Sequence, residues 1–328
     1  MNTVFITGGA GFIGSHLTDA YLAAGSKVIV LDNLSTGSLE NLRRAQTSPN
    51  FEFIEGDLAE EGLVSQAVRR SDLVVHLAAR IGLKLVIESP LKTLEANVKG
   101  TEVVLACATH ARVRTIITST SEVYGLTVKF PSHEDDPITF GSPKNGRWSY
   151  ACSKAYDEFL ALALFAERGL PVTVVRLFNT VGPRQSARYG MVLPRFVRQA
   201  LAGEPLTVYG DGSQTRCFGY VADVVWALQK LAAEPRALGE IFNLGNPEEI
   251  SILDLAHRVL ERTQSPSPIE HVPFTSAYGQ GFQEIVKRVP DIGKIARLTG
   301  FAPHATIDQI IDSVLASQRA GLRTAGVQ

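Results

Sequence analysis

The stretch Thr7-Gly8-Gly9-Ala10-Gly11-Phe12-Ile13-Gly14 decides the fold. It follows a short apolar run, Val4-Phe5-Ile6, and opens a segment in which Phe12, Ile13, Leu17 and Ala20 recur at helical spacing. The run reads as a buried strand and the recurrence as one face of a helix, which places the glycines at a strand-to-helix turn. There Gly8 permits a tight turn, Gly11 lets the backbone approach a pyrophosphate, and Gly14 lets the helix pack closely on the strand. The unpaired N–H groups of the first helical turn then face an anion. A second apolar run, Val28-Ile29-Val30-Leu31, ends in Asp32, close to the spacing of about 20 residues that a dinucleotide site requires. A carboxylate at that point accepts hydrogen bonds from a ribose 2'-hydroxyl and repels a 2'-phosphate, so the pattern predicts NAD rather than NADP.

Outward from the turn, strand and helix signals keep alternating. Strands are expected at 51–54, 73–77, 115–118 and 172–175, and helices at 63–68, 90–109 and 149–168. This alternation predicts an α/β fold with a doubly wound parallel sheet and helices on both faces. Ligands then lie at the carboxyl ends of the strands, where Asp57, Leu77, Ala78, Ser119 and Phe178 stand. Beyond about residue 177 the pattern breaks into pieces punctuated by Gly182-Pro183, Leu193-Pro194, Gly210-Asp211-Gly212 and Ser265-Pro266-Ser267-Pro268. Two domains are expected, residues 1–176 for the dinucleotide and 177–328 for a substrate, with the helix at 221–231 and the strand at 241–244 as segments able to return to the main sheet.

Composition narrows the function classes. The chain has 328 residues, 45% of them hydrophobic, and 32 Lys and Arg against 33 Asp and Glu give a net charge of -1. No global field recruits nucleic acid or an anionic membrane. No apolar run approaches the roughly 18 residues of a spanning helix, and the N-terminus leads into a strand without a basic leader, so a cytoplasmic location is expected. Cys107, Cys152 and Cys217 are odd in number and widely spaced, which predicts packed or incidental thiols and no zinc site. His76, His110 and His133 show no metal spacing and receive no role.

A second constellation carries the chemistry. Tyr150 and Lys154 stand four apart at the start of the 149–168 helix and so share a face. A nearby ammonium favours the phenolate, which would bring a tyrosine down from its reference value of about 10 toward the range of a general base. Thr120, on the loop after the 115–118 strand, offers a hydroxyl to the same substrate oxygen.

These residues resemble an extended short-chain dehydrogenase/reductase of the NAD-dependent epimerase/dehydratase family that acts on nucleotide sugars. The resemblance spans nearly the whole chain and rests on several segments. In the first half these are the glycine turn, Asp32-Asn33-Leu34-Ser35-Thr36-Gly37, Gly56-Asp57-Leu58, Leu77-Ala78-Ala79, Asn97, Ser119-Thr120-Ser121-Glu122-Val123-Tyr124-Gly125 and the Tyr150–Lys154 pair. Later come Phe178-Asn179, Gly182-Pro183-Arg184-Gln185, Leu206 to Gly210, Gln214-Thr215-Arg216 and Arg288-Val289-Pro290-Asp291. It implies a Rossmann-type sheet with a smaller C-terminal α/β domain. Gly8, Gly11, Phe12, Ile13, Gly14, Asp32, Asn33, Ser35, Thr36 and Gly37 would hold the cofactor, with Asp57 and Leu58 bordering its adenine. Leu77, Ala78, Ala79 and Asn97 would line it further along, and Lys154 would hold the nicotinamide ribose. Tyr150 would take the proton of the sugar 4-hydroxyl, partnered by Thr120. On the substrate side the resemblance implies Asn179, Arg184, Val192, Val208, Tyr209, Gln214, Arg216 and Arg288, and Lys84 adds a cation able to face a uronate carboxylate. Paired guanidiniums suit a diphosphate because their forked donors bind oxygens bidentately. A homodimer through the 90–109 and 149–168 helices is implied as well.

The fate of the 4-keto sugar divides the family into 4-epimerases, uronate decarboxylases and 4,6-dehydratases. Glu122 resembles the decarboxylases and some dehydratases, where a carboxylate near C5 relays protons. Against this, Arg80-Ile81-Gly82-Leu83-Lys84 does not resemble the proline-rich loop of UDP-glucuronate decarboxylases, and Gly182-Pro183-Arg184-Gln185 followed by Tyr189 resembles epimerases. The expectation is 4-epimerisation of a UDP-hexose or UDP-hexuronate, with decarboxylation or dehydration as the alternative. A non-catalytic NAD-sensing protein would have no use for Thr120, Tyr150 and Lys154 together.

Overall fold

Seven parallel strands form the main sheet of the computed structural model, which describes residues 2–187, 191–278 and 283–325. The first six are β1 (Thr3–Thr7), β2 (Lys27–Asp32), β3 (Phe51–Glu55), β4 (Leu73–His76), β5 (Arg114–Thr120) and β6 (Val172–Leu177). Four short strands follow, β7 (Thr180–Val181), β8 (Leu206–Tyr209), β9 (Thr215–Cys217) and β10 (Gly219–Tyr220). The seventh strand of the main sheet is β11 (Ile241–Leu244), and β12 (Glu249–Ser251) and β13 (Ile269–Val272) complete the set. The sheet order is β11-β6-β5-β4-β1-β2-β3, so the strand order reverses between β1 and β4. This is the Rossmann arrangement, and the reversal opens a crevice at the carboxyl ends of the two strands.

Helices cover both faces. The period of two along β1 sends Val4 and Ile6 to one face and Phe5 to the other. Val4 and Ile6 pack with Leu17 of α1 (Phe12–Ala23). Phe5 packs with Val64 and Val68 of α2 (Glu61–Arg69). After the short α3 (Leu83–Glu88), α4 (Pro90–Ala111) and α5 (Trp148–Arg168) lie side by side. Proline at its first position suits α4, and Gly169 in the left-handed region closes α5.

A second apolar cluster forms beyond the main sheet from α6 (Val192–Ala202), α8 (Ile252–Thr263), α11 (Ile307–Ala325) and β8. The intervening α7 (Val221–Ala233) instead adds Val224 and Leu228 to the first cluster, beside Leu17. Two further short helices are α9 (Phe274–Tyr278) and α10 (Gly293–Thr299), the second adding Ile295 to the first cluster. The short strands pair as β10 with β7, β12 with β9 and β13 with β8. The 241–244 segment thus lies in the main sheet, paired with β6. Among the described residues no helix is long and apolar enough to cross a membrane, and no group of His, Cys, Asp and Glu is arranged to hold a metal ion.

Candidate active site

A cavity of about 1040 Å³ opens at the strand-order reversal and runs from the glycine turn to the second apolar cluster. Its first end is the β1–α1 turn. Gly8 has a φ of +70, and a Cβ there would stand 2.7 Å from the Ala78 backbone. A Cβ on Gly14 would lie 2.3 Å from the Gly8 carbonyl oxygen. Both positions therefore exclude a side chain, and no side chain caps α1, whose first residues Phe12 and Ile13 line the cavity. Asp32 fastens the turn to the end of β2, accepting from Ala10 N at 3.0 Å and from Leu34 N at 2.8 Å. Burial pushes its carboxyl up and these two bonds oppose the shift. Asn33, Ser35, Thr36, Gly37, Asp57, Leu58, Leu77, Ala78 and Ala79 line the same end, and Asn33 Nδ2 donates to Asp57 Oδ2 at 2.7 Å. Close backbone approach, free helical N–H groups and a carboxylate at the ribose position fit a dinucleotide.

Midway along the cavity β5 and α5 bring Thr120, Glu122, Tyr150 and Lys154 together. Thr120 caps the turn at Ser121–Tyr124, its hydroxyl accepting from Glu122 N at 3.2 Å, which orients the Thr120 side chain. Burial pushes the Tyr150 phenol well above its ordinary value and the Glu122 and Asp157 carboxylates push the same way, while a hydrogen bond with Thr120 and the charge of Arg288 oppose. This corrects the expectation that Lys154 lowers the phenol. In the free protein the Lys154 ammonium is engaged by Asp157, 3.1 Å away, and loss of hydration dominates at Tyr150.

The far end is cationic. Asn179, Val192, Tyr209, Gln214, Arg216 and Arg288 line it, and Arg184 lines the cavity beside α1. Arg216 is ion-paired to Glu284 and lowered to about 10 by burial and by Arg288. Arg288 reaches Glu122 at 3.5 Å, and Arg184 reaches Asp19 on α1 at 2.7 Å. Ser119 Oγ, Ser121 Oγ and Arg288 Nε are buried at this cavity without a hydrogen-bond partner among the described residues, as befits groups awaiting a ligand.

Two expected contacts move. Val208 is fully buried in the second cluster, because the alternation along β8 turns it inward and Tyr209 toward the cavity. Asn97 is buried behind the wall, where it accepts from Arg80 N at 2.7 Å and so holds the 80–82 loop. The side chain of Lys84 and all of Tyr189 lie outside the described residues. Sequence reasoning missed Arg147, Arg195 and Glu284, which also line the cavity. None of the three stands in a motif that marks a site, and only the tertiary fold gathers them.

The glycine turn, the acidic end of β2 and the Thr120–Tyr150–Lys154 group therefore meet in one cavity. Residues 5–314 match GDP-mannose 4,6 dehydratase. The chain belongs to the GDP-mannose 4,6 dehydratase family. Among relatives of this family member, a UDP-N-acetyl-alpha-D-glucosaminuronate decarboxylase of Bacillus cytotoxicus is 41% identical, over 93% of this chain and 94% of that one. UDP-glucuronic acid decarboxylase 4 of Arabidopsis thaliana is 40% identical over 93% of this chain and 66% of that longer protein. Among solved structures, the UDP-glucuronic acid 4-epimerase of Bacillus cereus, in complex with UDP-glucuronic acid and NAD, superposes with a TM-score of 0.87 at 26% identity. That match covers 97% of this chain and 99% of the other.

Proposed function

We propose that the chain is an NAD-dependent decarboxylase of a UDP-linked hexuronate. The observation that carries this reading is the Glu122–Arg288 pair, 3.5 Å apart and in the same cavity as Thr120 and Tyr150. The relatives at 41% and 40% identity, both named as UDP-uronate decarboxylases, favour the same fate. The 4-epimerisation expected from Gly182-Pro183-Arg184-Gln185 yields to it, although the Bacillus cereus structure keeps epimerisation as the second reading.

Bound between the glycine turn, Asp32 and Lys154, NAD would supply the reversible hydride acceptor for C4 of the sugar. The chain's own residues do the rest. Tyr150 takes the proton of the 4-hydroxyl and Thr120 holds the same oxygen. Arg288 orients the uronate carboxylate, which faces Glu122 and is repelled by it. Once C4 is a ketone the sugar is a β-keto acid, so the C5–C6 electron pair can move toward the C4 oxygen as carbon dioxide leaves. The departure removes a negative charge from beside Glu122, which favours this step over the ground state. The Tyr150 hydroxyl donates to the resulting enolate oxygen, Glu122 passes a proton taken up from water to C5 in place of the carboxylate, and Tyr150 returns its proton to the C4 oxygen when the ketone is reduced. At the far end Arg216 exchanges Glu284 for diphosphate oxygens.

We also propose a homodimer through α4 and α5. Cys152, Tyr156, Phe159 and Ala163 form an exposed stripe at helical spacing on α5, with Phe159 68% exposed.

Incubation with UDP-glucuronate without added cofactor, followed by mass spectrometry, tests the activity. The expected product has lost carbon dioxide and the NAD content is unchanged at the end. A product of unchanged mass overturns decarboxylation in favour of 4-epimerisation, and loss of water overturns both.

A further inference from the structure

A line of buried polar side chains starts from Lys154 of the site and runs through α5, α4, β4 and β1. It comprises Thr7, His76, Thr101, Asp157 and Lys154, none more than 2% exposed. Thr7 Oγ1 lies 2.7 Å from His76 Nδ1, and His76 Nε2 lies 3.0 Å from Thr101 Oγ1. Thr101 Oγ1 is 3.0 Å from Asp157 Oδ2, which also receives Lys154 Nζ at 3.1 Å. At the other end Ala78 N donates to Thr7 Oγ1 at 3.3 Å.

The protons along this line have one consistent arrangement. Asp157, ionised beside an ammonium, only accepts, so the Thr101 hydroxyl donates to it. That hydroxyl must then accept from His76 Nε2–H. The neutral imidazole carries one proton, so Nδ1 is bare and the Thr7 hydroxyl donates to it. Burial and the charge of Lys154 lower His76 to about 3, in keeping with a neutral ring. The line ends on a backbone amide, which has no proton to release, so it cannot conduct protons to solvent. It can fix positions.

Stability alone does not account for it. Asp157 Oδ1 is buried with no partner among the described residues, and a half-satisfied buried ion pair is often no better than packed apolar groups. Its two ends do have a use in common, because both Ala78 and Lys154 line the cavity, Ala78 beside the glycine turn and Lys154 beside Tyr150. We propose that Asp157 is a positioning residue which, through Thr101, His76 and Thr7, ties the place of the Lys154 ammonium to the loop that starts at Ala78. Lys154 is thereby held in register with the cofactor ribose and with Tyr150. This rests on the site reading above, in which Lys154 meets the cofactor.

Thr101→Val keeps the shape of the side chain and removes the bridging hydroxyl, Asp157→Asn keeps shape and removes the charge, and Thr101→Ser restores the hydroxyl. Three quantities are measured for each, namely the NAD dissociation constant of cofactor-stripped protein by calorimetry, kcat and KM with UDP-glucuronate, and the melting temperature. Thr101→Val and Asp157→Asn are expected to lower kcat by about tenfold to a hundredfold with KM within about twofold, since small misplacements of a reacting group have this effect. NAD should bind about tenfold more weakly to both, the loss of one good hydrogen bond, and Thr101→Ser should recover both quantities. Wild-type kcat and NAD affinity in folded Thr101→Val and Asp157→Asn overturn the proposal, as does a Thr101→Ser protein as impaired as Thr101→Val. Lys154→Met separates the two levels. If it too keeps wild-type kcat and NAD affinity, the placing of Lys154 at the cofactor fails; if it alone is impaired, only the positioning role fails. Should UDP-glucuronate not react at all, the substrate reading fails and the NAD affinities still decide the role of Asp157.

Discussion

Burial raises the Tyr150 phenol in the free protein, so its work as a base depends on the groups beside it when substrate and cofactor are in place. Tyr150→Phe keeps the ring and its packing and is expected to lower kcat by about 100- to 10,000-fold, the usual contribution of a general base, with the melting temperature unchanged. Under the decarboxylase reading Glu122→Gln should slow carbon dioxide release by about 100-fold; a decrease smaller than about threefold would return the balance to epimerisation. His76 makes a separate prediction about acid stability. Its imidazole takes up a proton near 6.5 when the chain is unfolded and only near 3 when folded. The unfolded state therefore binds more protons across that window, and stability falls as pH drops through it. His76→Gln should flatten the fall in urea midpoint over the same range. Tyr150 and Lys154 were legible in the sequence because their spacing is local. Asp157, three residues further on, was not, since its role depends on Thr101 and His76 from other elements.

The β1–α1 turn sets the cofactor end, and Gly14 gives it a diagnostic sign. Alanine is normally better than glycine inside a helix by about 0.5–1 kcal/mol. Here its Cβ would meet the Gly8 carbonyl oxygen at 2.3 Å and force the backbone apart. Gly14→Ala is expected to lower the melting temperature and to purify without NAD; a raised melting temperature with NAD retained would show that the turn is looser than described. At this scale the sequence was most informative. Apolar runs such as Val28 to Leu31 mark strands buried on both faces, and long amphipathic segments such as 149–168 leave little choice but a helix. The strands β7, β8, β9, β10, β12 and β13 are two to four residues long, and such lengths carry no period from which to predict them. Val208 was carried over from the family resemblance, and its inward facing is set by the alternation along β8 where it pairs with β13.

For the molecule as a whole, the α5 stripe predicts the state of assembly. Phe159→Glu places a charge in the proposed interface and is expected to give a folded protein that sediments as a monomer, where the wild type sediments as a dimer. A wild-type monomer would overturn the dimer. Overall topology was partly legible, because the 241–244 strand could be marked as able to return to the main sheet, whereas the neighbour it pairs with, β6, is fixed only in the fold. That pairing bears on how the chain is made. β6 ends at Leu177 and its neighbour β11 begins at Ile241, so the ribosome must add more than sixty residues before that edge is covered. At a synthesis rate of about 5–20 residues per second, the hydrogen-bonding edge of Val172–Leu177 stays open for several seconds. For that interval the nascent chain carries an apolar template for another strand, and its chaperone demand should peak between the emergence of β6 and that of β11.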